Sequence, residues 1–118
     1  NLLFADKRIG AAKILFEKKK YNLGIETLSK AEKYLETACN IEDELREKGG
    51  DTFELADTLI RASLVHRQII KQMMLIAPDD SKTQMMFIEN YPRGVYGRKI
   101  HVIKNAGLEV IPDPFNGL

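Results

Sequence analysis

The sequence predicts an all-α protein: an antiparallel up-and-down bundle of three long helices, an interrupted fourth and an extended C-terminal tail. Three observations lead there. Apolar residues recur at steps of three and four through nearly every segment up to residue 76. Gly49-Gly50 and Pro78 punctuate that pattern at places where helices end. The connections between periodic segments are short, which makes chain neighbours run antiparallel. At 118 residues the chain is one domain, with residues 1–106 as the bundle and 107–118 as the tail.

The first helix covers residues 2–18. Leu2, Ala5, Ile9, Ala12 and Phe16 form one stripe, widened by Ile14 and Leu15. A short connection at Lys19 to Asn22 then reverses the chain. The second helix runs from about Asn22 to Lys48, with its stripe at Ile25, Leu28, Ala31, Leu35, Ala38 and Leu45 and Glu42 breaking the register. Gly24, Ala31 and Ala38 are small enough to let a neighbour come close. Gly49-Gly50 ends the helix by supplying left-handed backbone geometry.

Asp51-Thr52-Phe53-Glu54 reads as a capping box, with Asp51 accepting the first free N–H groups and Glu54 reaching back. The third helix carries Leu55, Leu59, Ala62, His66, Ile69, Met73 and Ile76 to a stop before Pro78. A second box, Ser81-Lys82-Thr83-Gln84, opens a fourth helix from about Lys82 to Asn105, kinked or broken near Pro92 and interrupted by Gly94 and Gly97. An alternative makes Ile100–Ile103 and Leu108–Ile111 short strands, because both are rich in β-branched residues. Pro112-Asp113-Pro114-Phe115 is an extended tail anchored by Phe115. Leu28, Leu35 and Leu59 are the expected centre of the core.

Composition bounds the function classes. A hydrophobic share of 44% and a charged share of 30% belong to a globular protein rather than a disordered one. The net charge of +1 provides no overall steering toward nucleic acid or acidic lipid. Cys39 is the one cysteine, which excludes an internal disulfide or a multi-cysteine zinc site. The chain opens at Asn1 inside LLFA, without a methionine, and reads as a piece whose upstream segment lies outside this sequence.

His66 lies on the stripe of the third helix, and Ser63 three residues earlier rules out the Glu-x-x-His pattern of a di-metal bundle. Arg98 precedes His101 at the same spacing, with the same consequence. Cys39 sits beside Ala38 on a long helix and reads as a small core residue. No glycine-rich loop has the lysine and strand of a phosphate cradle. Met73, Met74, Met85 and Met86 read as gap-filling core. The residues point to no enzyme, no cofactor and no small-molecule substrate.

One segment offers a binding alternative. Tyr91 to Lys104 holds Arg93, Arg98, Lys99 and Lys104 without an acid, interleaved with Tyr91 and Tyr96. These four cations are the candidate anion-binding residues, for nucleic acid or acidic lipid. The competing reading, and the favoured one, pairs them with Glu42, Asp43, Glu44 and Glu47 at the end of the second helix.

Two resemblances add to this. Tyr21, Gly24, Leu28 and Ala31 sit where a tetratricopeptide hairpin has its packing residues, so residues 12–34 resemble one such hairpin; the pattern does not recur one period on, at Leu55-Ala56-Asp57. Ala5-Asp6-Lys7-Arg8-Ile9 through Leu28-Ser29-Lys30-Ala31-Glu32-Lys33-Tyr34-Leu35 resembles an uncharacterised bacterial helical family whose members follow an N-terminal membrane anchor. That resemblance implies a helical bundle outside the cytoplasm, with no catalytic residues to carry over. The expected role is a non-catalytic structural or protein-interaction module. Its partner is then a protein, and membrane contact comes only through an anchor upstream of Asn1.

Overall fold

A computed structural model describes residues 1–115. It is a bundle of four helices: α1 (Leu2–Glu17), α2 (Tyr21–Glu47), α3 (Phe53–Ile76) and α4 (Asp79–Asn105). No strand occurs among the described residues, so Ile100–Ile103 is helical and Leu108–Ile111 is irregular extended chain.

Consecutive helices alternate in direction, as expected, but their packing is not a simple ring in chain order. α1 packs on α2 and α3 on α4 as two antiparallel hairpins. The hairpins then dock with α2 against α4 and α1 against α3, while α2 and α3 meet only across the diagonal. Contacts between hairpins join Asp6 to His66 and Glu42 to Lys99, so each docked pair is parallel. The principal extents of 45 × 29 × 17 Å describe a flattened bundle, with α2 and α3 on its short diagonal.

Three of the four helices stop in the same way. After α1, Lys19 N–H bonds Phe16 O and Lys20 N–H bonds Leu15 O; Gly49 and Gly50 repeat the pattern after α2, and Gly107 and Leu108 after α4. The motif needs a left-handed residue at the first of these two positions. Gly49 (φ 85°) and Gly107 (φ 76°) supply it without strain, whereas after α1 the position is Lys19 at φ 63°. At Gly24 the backbone packs directly on the Phe16 ring; a Cβ there would lie 2.4 Å from Phe16 Cδ1.

The core forms three clusters along the bundle. Ile9, Ala12, Phe16, Leu28, Met73 and Met85 fill one end. Ala5, Leu35, Cys39, Leu59 and Val95 fill the middle. Ala56, Ile60, Tyr96, Val102 and Ile103 fill the other end, where Val110 and Ile111 from the segment after α4 cover them. Leu28, Leu35 and Leu59 are each fully buried, as the spacing predicts.

Several local expectations are corrected. α4 is not interrupted: it is helical from Asp79 through Pro92, Gly94 and Gly97 to Asn105. Met85, Ile88, Pro92, Val95, Lys99 and Val102 keep steps of three and four, so the core face continues across the proline and packing outweighs the lost hydrogen bond. Neither capping box forms. α4 begins before Ser81, and at α3 Asp51 accepts only the Phe53 N–H at 3.3 Å, while Thr52 turns its hydroxyl to Glu42. Ile14, Leu45 and Ile76 lie on the solvent side. Leu45 is exposed, and the last buried residue of α2 is Glu42.

Candidate interaction surface and the buried polar nodes

The four cations of the 91–104 segment do not converge. Arg93 reaches back one turn to Glu89 at 3.2 Å. Arg98 crosses to α2 and donates to Asn40 Oδ1 at 3.1 Å and to Asp43. Lys99 points into the bundle with no exposed side-chain surface, its Nζ 2.6 Å from Glu42 Oε1 and 2.7 Å from Asp43 Oδ1. Lys104 is exposed, with no ion pair among the described residues. Of the acidic end of α2, Glu42 and Asp43 take these cations, while Glu44 and Glu47 face solvent.

Glu42 is fully buried and satisfied from three elements. Lys99 meets one oxygen, and Thr52 Oγ1 (2.6 Å) and Arg46 Nε (2.9 Å) donate to the other. Burial pushes its carboxyl up, but the Lys99, Thr52 and Arg46 donors outweigh burial and hold it below the usual carboxylate range. Asp43 is held low in the same way by Lys99 and Arg98. A buried carboxylate without such donors would be strongly unfavourable. The residue that breaks the apolar register of α2 is thus the anchor of its far end.

A second node joins α1, α2 and α3. His66 is fully buried, with Nδ1 2.7 Å from Glu32 Oε2 and Nε2 2.8 Å from Asp6 Oδ1. Burial alone would lower the imidazole pKa, but the Glu32 and Asp6 contacts win and raise it. Both ring nitrogens face carboxylate oxygens, and only the doubly protonated ring donates to both. Burial pushes the Glu32 carboxyl up, so the node as a whole holds its proton tightly. With both nitrogens engaged, His66 offers no lone pair to a metal or to a substrate proton. No group of three or more histidine, cysteine or acidic residues is placed to hold a metal among the described residues. Cys39 is buried, and burial raises its thiol pKa, which suppresses the thiolate.

Glu32, Thr52 and Asp6 were missed as partners by sequence reasoning, whereas Glu42 and Asp43 were expected as partners of the 91–104 cations. A signal existed: Glu32 and Glu42 each sit four residues after a stripe residue of α2, and His66 and Lys99 hold stripe positions of α3 and α4. Opposite charges on facing stripes mark a buried pair.

An open groove lies between α2 and α4. It has a volume of about 450 Å³ and is lined by Ile25, Ile88 and Phe87 with Lys30, Lys33 and Gln84 at its edges. Phe87 is 75% exposed, and Met86 beside it is 59% exposed. A second depression, bounded by Glu36, Asn90 and Tyr91, shares Phe87 as a wall. Lys30 is tied to Glu26 at 3.5 Å, whereas Lys33 makes no ion pair among the described residues.

Comparison with family models, curated proteins and solved structures finds no match to this chain. No helix among the described residues is long and apolar enough to cross a membrane.

Proposed function

We propose that the protein is a non-catalytic protein-interaction module that meets its partner through the α2/α4 groove. The observation carrying this reading is Phe87: a large aromatic ring left mostly in water beside an apolar groove, on a helix whose opposite face supplies the core. Lys33 and Glu36 at the edges would set register by charge, while Ile25, Ile88 and Phe87 would contribute the buried area. The resemblance of residues 5–40 to bacterial proteins displayed behind a membrane anchor supports presentation outside the cytoplasm.

A photo-crosslinking residue at position 87, expressed in the source cell, tests the surface. The expected outcome is a discrete adduct absent when the same residue replaces Lys7 on α1. Equal labelling at both positions, or substrate turnover by pure protein lost on changing one polar residue, would overturn the reading. Anion binding through Arg93, Arg98, Lys99 and Lys104 is the weaker alternative, because Glu89, Glu42 and Asp43 already neutralise three of them. Salt-dependent binding of RNA or anionic vesicles would favour it instead.

A further inference from the structure

The segment after α4 lies in a groove of its own. From Leu108 it turns back over the outer face between α3 and α4, and its side chains alternate. Ile111, Asp113 and Phe115 are partly buried, while Pro112 and Pro114 are exposed. The chain runs irregularly as far as Asp113 and turns at Pro114 and Phe115, where the Phe115 N–H donates to Asp113 Oδ1 at 2.8 Å. Prolines between the contact residues fix the backbone φ and remove the N–H groups that could pair with a strand.

Each inward residue has a specific receiver. Tyr96 donates its hydroxyl to Ile111 O at 2.6 Å. Arg67 Nη1 donates to Asp113 Oδ2 at 2.8 Å. Phe115 lies beneath Arg67 and Lys71, 4.6 Å and 5.2 Å from the ring centroid. Burial raises the Asp113 carboxyl, but the Phe115 N–H, Arg67 and the nearby Arg93 charge outweigh it and hold the carboxyl low. Arg67 is only 3% exposed, and its Nε has no hydrogen-bond partner among the described residues. The strap therefore occupies the guanidinium through one donor and leaves another empty. A carboxylate that gripped Nε and Nη together would use the fork fully.

We propose that the α3/α4 groove is a receptor site for proline-stiffened, turn-forming segments of a partner protein that present an apolar residue, a carboxylate and an aromatic residue at alternate positions, with the strap as its resident competitor. Tethering gives the strap an effective concentration in the millimolar range, so a partner segment must bind better than the strap or arrive when it is loosened. This site is separate from the α2/α4 groove and does not depend on that reading.

The test uses the full chain and a fluorescent peptide of residues 107–115, followed by anisotropy. In the Asp113→Asn/Phe115→Ala variant the peptide should bind at least tenfold tighter than in the wild type. Binding should weaken as salt rises, and adding Arg67→Met should abolish it. A peptide carrying Asn for Asp should bind at least tenfold more weakly. A variant with wild-type helical content that binds no tighter than the wild type would overturn the proposal, as would equal binding of the two peptides. A wild-type dimer held by exchanged straps would overturn it too, since the occupant would then be a second copy. If the double variant fails to fold, Asp113→Asn alone decides by the same comparison.

Discussion

Single residues in this bundle act through backbone geometry as much as through contacts. Lys19 holds a left-handed conformation that opposes its Cβ, at a cost of roughly 1 kcal/mol. Lys19→Gly should therefore raise stability by up to about 1 kcal/mol, read as a higher denaturation midpoint with an unchanged slope. Gly24 is the opposite case. Gly24→Ala gains about 0.5–1 kcal/mol of helix propensity. It also drives a methyl into the buried Phe16 ring, an overpacking that costs roughly 1–3 kcal/mol, so the variant should be destabilised. Gly94 meets nothing within 4 Å, and Gly94→Ala should instead be stabilised by about 0.5–1 kcal/mol. The closeness at Gly24 was legible in the sequence. The strain at Lys19 was not, because no rule places a lysine there in preference to glycine.

Among elements, α4 best separates what the sequence discloses from what it hides. Its steps of three and four were present throughout, but Pro92, Gly94 and Gly97 argue locally for a break. The core face overrides them, because Pro92 itself is buried in that face. Pro92→Ala restores a backbone donor, and the helix-interior penalty of proline is about 3 kcal/mol. The change loses two buried methylenes, worth about 0.8 kcal/mol each. The balance predicts a gain of about 1 kcal/mol in thermal unfolding. On α2 the apolar pattern was read correctly through Ala38 and then extended to Leu45. The true continuation is Glu42, which the sequence offered as an ion-pair partner but not as a core position, because a carboxylate looks like a break in an apolar stripe. Lys99→Met keeps most of the side-chain volume but strands that carboxylate, and should cost about 3–5 kcal/mol.

For the whole molecule, the two polar nodes bound stability from opposite sides of the pH scale. Glu42, Asp43 and Asp113 have lowered pKa values in the fold, so their contribution is present above the unfolded carboxylate range near about 4 and is lost as pH falls. His66 and Glu32 have raised values, so their contribution is complete below their unfolded values and lost as pH rises; for His66 that loss begins above about 6.5. Melting temperature should therefore fall as pH drops below the carboxylate range near about 4 and fall again above about 6.5, with the Glu32 contribution already declining between them. His66→Gln should lower the peak and flatten its alkaline side; an unchanged alkaline slope would show that the node does not titrate there. The four-helix architecture was legible from periodicity and punctuation. The pairing of α2 with α4 was legible only in charge, through Arg98 and Lys99 against Glu42 and Asp43, since periodicity says that a face is buried and not which helix buries it.

That pairing makes the chain divisible. Each hairpin closes through short-range contacts and can assemble early, while docking the hairpins requires contacts spanning much longer stretches of sequence. The Lys48–Thr52 connection joins helices that meet only diagonally, so it mainly keeps the two halves at high local concentration. The register of docking is written in charge, by Asp6 on His66 and Glu42 on Lys99. A chain cut within that loop would yield two halves that recognise one another by electrostatic code, and two intact chains could trade halves by the same rule.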